Sequence, residues 1–114
     1  MAQPRFLDEP AFKSLRLSDF EEFNGLVASQ KIVDFTDADL RGVDFRGIAD
    51  PGKISIRGAY LRDADLRGLD LRGWDMEGCS LYHAKISGAY LPVNLSPQEI
   101  ANSVQLGTRM RTTE

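Results

Sequence analysis

The central part of the chain repeats one pattern of apolar and polar positions every five residues. Each block begins with a small or apolar residue, continues with an acidic or polar residue, places a large apolar residue third, and closes with polar residues or glycine. The clearest copies are Ala-Asp-Leu-Arg-Gly at 38–42, Val-Asp-Phe-Arg-Gly at 43–47, Ala-Asp-Leu-Arg-Gly at 64–68, Leu-Asp-Leu-Arg-Gly at 69–73 and Trp-Asp-Met-Glu-Gly at 74–78. A period of five fits neither the helix period of about 3.6 residues nor the strand period of about 2.0. It predicts a short extended stretch followed by a corner, with the first and third side chains pointing the same way.

The repeat keeps one register over twelve blocks. Four blocks occupy residues 33–52, one extra residue falls at about Lys53, and eight blocks follow over residues 54–93. Most of the glycines close a block, so their positions predict the corners: Gly42, Gly47, Gly52, Gly58, Gly68, Gly73, Gly78 and Gly88.

Blocks of this kind resemble the pentapeptide-repeat family, whose consensus is Ala, then Asp or Asn, then Leu, then two variable residues. Known members of that family fold as a right-handed quadrilateral β-helix with four blocks in each coil. The resemblance therefore implies an all-β solenoid of about three coils for this chain.

The residues that such coils would stack on one another are compatible as neighbours. The third positions of the blocks give large apolar rows, and the first positions give small rows. The large rows are Phe35, Ile56 and Met76; Leu40, Leu61 and Leu81; and Phe45, Leu66 and Ile86; the small rows are Ala38, Ala59 and Cys79, and Val43, Ala64 and Ala84. Alternating large and small rows would fill a narrow interior at the close-packed density of protein cores.

Two places depart from the repeat. Residues 50–53, Asp-Pro-Gly-Lys, predict a turn that bulges outward, and this bulge is either ordinary loop structure or a protruding contact point. Trp74 is larger than the residues at the same position of the other blocks. It either packs beneath a cap at the open end of the last coil or is an exposed recognition residue.

A helical cap is predicted at the N-terminal end, because a stack of β-coils exposes unpaired backbone that needs cover. Residues 1–32 are expected to form this cap, with a short helix near 9–15 and a second helix begun by a capping box of Ser18 and Glu21. Apolar residues at helical spacing would face the first coil: Phe12, Leu15, Phe20, Phe23 and Val27.

A second helix is predicted to cap the C-terminal end, within residues 94–114. Ser96 and Glu99 form a capping box with proline at the first helical position, and Gly107 is placed to end the helix. The last residues, 108–114, are expected to be a frayed polar tail.

Composition and charge exclude other classes of protein. The 114 residues include 14 Lys plus Arg, 17 Asp plus Glu, one His and one Cys, and 42% are hydrophobic, which is typical of one small soluble domain. A single cysteine cannot form an internal disulfide, and the chain has neither a membrane-length apolar stretch nor the apolar core of a signal peptide. We therefore expect a cytoplasmic protein with no membrane partner.

The sequence offers no constellation for catalysis, and we expect that the protein is not an enzyme and uses no cofactor or metal. His83, the only histidine, ends a block and is expected to be exposed, while Cys79 is expected to be a buried thiol. One His and one Cys do not make a zinc site, and no glycine-rich phosphate loop is present. The repeated Asp residues are expected to face outward rather than to converge in a cleft.

Charge also bears on an alternative function that the resemblance raises. Some members of the family protect DNA gyrase from quinolones by imitating duplex DNA, which requires a long rod with a strongly negative face. Residues 33–93 hold ten acids and eight bases, and Asp at the second position of a block would be neutralised by Arg at the fourth. DNA mimicry therefore stays the alternative function, and direct binding of nucleic acid is not expected.

The favoured function is a non-enzymatic module or scaffold that binds a protein partner. Stacking would place Arg41, Arg62 and Tyr82 in one outward column, with Tyr60 in the adjacent column of the same face. Tyr and Arg are enriched at protein contacts, so these four residues form the candidate interaction face. The other interpretation is that the tyrosines only cover backbone, and association of two copies as a homodimer is left open.

Overall fold

The computed structural model describes residues 5–113, so residues 1–4 of the expected N-terminal cap and residue 114 of the expected tail lie outside it. Three α helices lie towards the two ends of the chain: α1 (Pro10–Arg16), α2 (Phe20–Ala28) and α3 (Pro97–Leu106). Two short strands, β1 (Val33–Asp34) and β2 (Ile54–Ser55), and a 3-10 turn (Pro51–Lys53) lie between α2 and α3. We call residues 33–52, 54–73 and 74–93 the first, second and third layers.

Parallel backbone pairing joins each layer to the next. Val33 pairs with Ile54, an offset of 21 residues between the first and second layers, and Tyr60 pairs with Ser80, an offset of 20 between the second and third. The further bridges keep these offsets: Asp34–Ser55, Asp39–Tyr60, Asp44–Asp65, Asp65–Lys85 and Asp70–Tyr90. The change of offset by one residue confirms that the extra residue lies at the end of the first layer.

The first and third positions of the blocks supply the core, as predicted. The large residues at third positions are fully buried in all three layers: Phe35, Leu40, Phe45, Ile56, Leu61, Leu66, Leu71, Met76 and Leu81. The small row of Ala38, Ala59 and Cys79 is fully buried beside them. Ile86 is only half-buried, unlike Met76 and Leu81 of the same layer.

At most block ends the chain turns a corner by adopting the left-handed backbone conformation. Eight block-closing residues have a positive φ: Asp37, Gly42, Gly58, Asp63, Gly68, Gly78, His83 and Gly88. Glycine adopts this conformation without a steric penalty and Asp tolerates it better than most residues. Gly47 and Gly73 also close blocks, but neither has a positive φ, so the left-handed conformation does not explain why glycine occupies these two positions.

The structure does not confirm the expected all-β fold class. Residues 5–113 contain two strands of only two residues each, while the three helices are longer than either strand. The physical reason is that a five-residue block leaves only one or two residues extended between corners, so most of the pairing between layers occurs as isolated bridges.

The outward turn at residues 50–53 is held by contacts within the chain. Asp50 accepts a hydrogen bond from the Gly52 backbone N–H at 3.1 Å, and Lys53 Nζ donates to the Ala28 carbonyl at the end of α2 at 3.2 Å. Trp74 is 5% exposed, and its Nε1 donates to the Pro51 carbonyl at 2.7 Å. The interpretation of Trp74 as an exposed recognition residue is therefore wrong, and it packs edge-on against Phe45 rather than beneath a terminal helix.

Helices α1 and α2 cover the first layer with the apolar residues predicted to face it. Phe12, Leu15, Phe23 and Val27 are buried, and the Phe12 ring packs edge-on against Phe35 with centroids 5.8 Å apart. The predicted capping box at Ser18 is wrong by one residue. Asp19 is the N-cap, and its carboxylate accepts the Glu22 N–H, because Ser18 takes a left-handed turn between the helices.

Polar groups from the N-terminal part pair with the open backbone edge of the first layer. Arg5 bridges Ala38 as an added parallel partner, accepting from the Asp39 N–H and donating to the Asp37 carbonyl. The Asn24 side chain on α2 donates to the Gly47 carbonyl and accepts from the Ala49 N–H, both at 3.0 Å. An amide side chain thus supplies the donor and acceptor that a further strand would offer.

Helix α3 covers part of the third layer in the same way. Its Ser96 N-cap accepts from the Glu99 N–H and Gly107 ends it with a positive φ, so the predicted N-cap and helix end are both confirmed. The Glu99 carboxylate accepts from the Arg111 N–H at 2.8 Å, so the reciprocal half of the predicted capping box is not shown. Buried Ser103 accepts from the Leu81 N–H at 2.8 Å and donates to the Thr108 carbonyl. Within residues 5–113, no helix has the length and apolar character needed to span a bilayer.

The expectation of a frayed tail at residues 108–114 is wrong for the residues that the structure describes. Met110 is fully buried, and its backbone bonds to Gly78 and Cys79 on the edge of the third layer. Thr112 donates its N–H and hydroxyl to the Glu77 carboxylate at 2.9 and 2.8 Å. The segment is thus an added edge partner, the counterpart of Arg5 at the other end.

Gly47 provides a first test of how α2 sits on the first layer. A Cβ at Gly47 would lie 2.4 Å from the Phe20 ring, whereas a Cβ at Gly73 meets nothing within 4 Å. We expect Gly47→Ala to lower the free energy of unfolding by about 1–3 kcal/mol through overpacking, and Gly73→Ala to change it by less than about 0.5 kcal/mol. Urea denaturation followed by circular dichroism measures both, and equal stabilities would contradict the contact.

Met110 provides a test of the docked C-terminal segment. Met110→Ala removes a fully buried side chain and should cost about 2–5 kcal/mol of unfolding free energy. Val93→Ala is the control, because that side chain is 95% exposed and its loss should cost less than about 0.5 kcal/mol. A Met110→Ala protein as stable as the control would indicate a segment that does not pack.

Candidate interaction surface

The structure brings together the four residues of the candidate interaction face. Arg41, Tyr60, Arg62 and Tyr82 line one groove of about 260 Å³, together with Ser80 and with Leu106 and Gly107 at the end of α3. Pairing between layers places them, because the Gly42 N–H donates to the Arg62 carbonyl and the Asp63 N–H donates to the Tyr82 carbonyl. The fourth residues of corresponding blocks in successive layers, Arg41, Arg62 and Tyr82, therefore stand one above another, as predicted.

Arg62 and Tyr82 form a stacked set at one side of the groove. The Arg62 guanidinium lies 4.9 Å from the centroid of the Tyr82 ring, and His83 stacks on the same tyrosine with centroids 3.9 Å apart. Arg62 Nε is 3.7 Å from Asp63 Oδ2, a separation too long for a hydrogen bond. Both side chains of this loose pair are more than half exposed, so Arg62 keeps donors available to a ligand.

Arg41 is engaged much more tightly than Arg62. Its guanidinium makes a two-pronged ion pair with the Asp39 carboxylate, which is buried. The side-chain hydrogen bond from Arg41 is the largest cause that lowers the pKa of Asp39 below its usual value. The charge of Arg41 is therefore balanced within the chain.

The predicted face lacked one member, Arg109. This residue comes from the C-terminal segment, and its guanidinium lies 4.5 Å from the centroid of the Tyr60 ring. It also donates to the Tyr60 hydroxyl, to the Gly78 carbonyl at 3.0 Å and to the Gly58 carbonyl at 3.4 Å. The sequence signal that could have found it is Met110, an isolated apolar residue in a polar segment three residues after the helix-ending glycine.

The second-position Asp residues have a local structural role. Each accepts a hydrogen bond at 2.9–3.2 Å from the backbone N–H two residues further along the chain, which fixes the turn towards the corner. The residues that do so are Asp34, Asp39, Asp44, Asp65, Asp70 and Asp75. Four of them also form an ion pair with the arginine at that position: Asp39, Asp44, Asp65 and Asp70.

One of these pairs extends across two layers. Asp65 binds Arg67 of its own block at 2.7 Å and Arg46 of the first layer at 3.2 Å. The hydrogen bond from Arg67 is the largest of the contributions that lower the pKa of Asp65 to about 2. Five of the ten acids in residues 33–93 are therefore used in close ion pairs with arginines, namely Asp39, Asp44, Asp65, Asp70 and Asp75.

The two residues with nucleophilic or proton-transfer chemistry are not brought together. Cys79 is fully buried and donates to the Ile56 carbonyl at 3.1 Å, and burial raises the pKa of its thiol to about 12. This confirms the prediction of a buried thiol, and His83 is exposed, as expected. In the described range 5–113, no group of three or more His, Cys, Asp or Glu side chains is placed to share a metal ion.

Comparison with known protein families agrees with the repeat found in the sequence. Residues 55–91 match the family model of pentapeptide repeats in eight copies. This match confirms the resemblance over these residues, and the chain carries repeats of the pentapeptide-repeat family. The number of copies equals the number of blocks predicted after the extra residue, while the four blocks of the first layer lie outside the match. No curated protein and no solved structure matches the chain.

The Asp65 pair predicts how stability changes with pH. Because the pKa of Asp65 is about 2 in the folded chain, below its usual 3.8, its contribution is present above about pH 4 and is lost as pH falls towards 2. We expect Asp65→Asn to cost about 1–2 kcal/mol at neutral pH, after allowance for screening at the half-exposed arginines. The cost should vanish near pH 2 in urea titrations.

Asp63→Asn is the matched control for this measurement. Asp63 is 60% exposed and lies 3.7 Å from its arginine, so its replacement should leave the unfolding free energy nearly unchanged across the same pH range. If the two variants lose stability equally, the Asp65 pair does not stabilise the stack.

Proposed function

We propose that residues 33–93 form a right-handed quadrilateral β-helix of three coils, closed by helical caps within residues 1–32 and 94–114. The regular offsets of 20 and 21 residues between paired positions support this architecture. The left-handed corners at eight of the twelve block ends and the inward rows of the core also support it. Such a prism presents flat outer faces on a rigid frame.

We propose that the protein is a non-enzymatic interaction module that binds a protein partner at the groove of Arg41, Tyr60, Arg62 and Tyr82. The observation that carries this proposal is the stacking of Arg62 on Tyr82 in an open depression that also contains Tyr60, on whose ring Arg109 of the C-terminal segment stacks. Tyr and Arg offer large, rigid contact areas and are enriched in the residues that dominate binding energy. The family in general supplies interaction or scaffold modules, which agrees with this proposal.

The chemistry of the site favours binding over catalysis. The Cys79 thiol is buried with a pKa raised to about 12, so it is protonated at neutral pH and unsuited to nucleophilic attack. Leu106, which lines the groove, is 70% exposed. A groove with so exposed a lining residue does not enclose a small substrate as an active site normally does, and we propose no cofactor.

The alternative function, imitation of DNA towards gyrase, finds little support in the charge distribution. Four of the acids that would form a negative face are paired with arginines of the same blocks, and residues 33–93 hold eight bases against ten acids. A cytoplasmic location remains part of the proposal, on the ground that the single cysteine, Cys79, is buried and free.

Replacing both groove tyrosines tests the proposed function. We expect Tyr60→Ser with Tyr82→Ser to abolish capture of a partner from an extract of the source cells, because both stacked pairs are lost. Tyr90→Ser is the matched control, since Tyr90 also stacks with an arginine, Arg72, but lies outside the groove. Quantitative mass spectrometry should find proteins retained by the wild type and the control and absent from the double variant.

Two outcomes would contradict the proposed function. One is that the double variant, shown to be folded by circular dichroism, retains the same proteins as the wild type. The other is that the wild-type chain protects gyrase supercoiling from a quinolone, which would favour the alternative.

A further inference from the structure

The groove contains one arginine, Arg62, whose positive charge is only loosely balanced. Arg41 is neutralised by Asp39, but Arg109 is held by two carbonyl oxygens and a hydroxyl, all of them uncharged acceptors. Arg62 has one carboxylate within 4 Å among the described residues, the exposed Asp63 at 3.7 Å. Among residues 5–113, neither Arg62 nor Arg109 therefore forms a tight ion pair with a carboxylate.

Stacking prepares these guanidinium groups for an anionic partner. A guanidinium that lies over an aromatic ring keeps the N–H donors along its edge available, and the ring restricts the conformations of the arginine. Arg62 is held in this way on Tyr82, whose other contact is the stacked His83 ring. Arg62 would therefore lose little conformational freedom when a carboxylate binds across the edge of its guanidinium.

The end of α3 adds an apolar residue to the groove. Leu106 and Gly107 line it together with the arginines, and the Leu106 side chain is 70% exposed. A ligand that fills the groove would therefore meet both cationic donors and an exposed leucine. This combination suits a carboxylate followed or preceded by an apolar side chain in an extended peptide.

The surroundings of the groove disfavour a nucleic acid as the ligand. Asp63 at the rim is 60% exposed, and residues 33–93 carry more acids than bases. A phosphate backbone carries a charge at every nucleotide and would meet these carboxylates on either side of the groove, whereas a peptide can place a single acid opposite Arg62.

We propose that the groove binds an acidic peptide segment of the partner protein, with a partner carboxylate on Arg62 and an adjacent apolar side chain against Leu106. This inference rests on the proposed function, because it names the chemical class of the partner at the same site. Steering by Arg62 and Arg109 should make binding sensitive to salt.

A display library of short random-sequence peptides, selected on the full chain, tests the proposal. We expect the selected peptides to be enriched in Asp or Glu next to an apolar residue. When each acid is replaced by its amide, binding measured by fluorescence anisotropy should weaken about tenfold or more, because a charge-assisted bidentate contact is lost. The same peptides should bind more weakly as the salt concentration rises.

Variants of the chain show whether Arg62 is the group that binds the acid. Arg62→Gln should weaken binding of the acidic peptides about tenfold or more and should bind the amide versions about as well as the wild type does. Arg72→Gln is the matched control, since Arg72 stacks on Tyr90 outside the groove and its loss should leave binding unchanged. Circular dichroism confirms that both variants are folded.

The outcomes separate this inference from the proposed function. Peptides that need Tyr60 and Tyr82 but bind equally well as amides would leave the interaction module standing and overturn the acidic partner. Acidic peptides that bind Arg62→Gln as tightly as the wild type, a selection without acidic enrichment, or no selected peptide at all would also overturn it. So would tighter binding of a single-stranded RNA oligonucleotide that competes with the peptides.

Discussion

The parallel hydrogen bonds between layers are the constraint on which the rest of this structure depends. Each backbone N–H and C=O that points along the stack must find a partner 19 to 22 residues away, and a buried group left unpaired would cost about 1–3 kcal/mol. This requirement fixes the spacing of the blocks, since four blocks must return the chain to the same column. It also fixes what the ends of the chain must supply, because the outermost layers have no neighbour of their own kind.

The two ends meet this requirement with different chemical groups. Arg5 and Met110 pair through their backbone on opposite edges of the stack, while Asn24 and Ser103 present side chains in place of a strand. The helices are therefore defined as much by the polar groups that face the repeats as by their apolar stripes.

The repeats were predictable from the sequence because their period is regular and local. The register, the extra residue near Lys53, the inward rows and the column of Arg41, Arg62 and Tyr82 all follow from counting in fives. The errors lie where the period stops. Arg109 and Met110 bind residues about 30 or more positions away, and a polar segment gives no local sign of such contacts. Trp74 was misplaced for the same reason, since its partner Pro51 belongs to the one irregular turn.

The uniform layers make the length of this molecule adjustable. The edge that the second layer offers to the third repeats the hydrogen-bond pattern that the first offers to the second. The third layer therefore joins the second as the second joins the first. A further unit of four blocks could enter after residue 73 without disturbing Asn24, Ser103 or Met110, which bind only the outermost layers. It would, however, separate Trp74 from Pro51 and Arg109 from Gly58 and Tyr60. Growth of such a chain by internal duplication would therefore lengthen the outer faces in fixed steps and require new partners for Trp74 and Arg109.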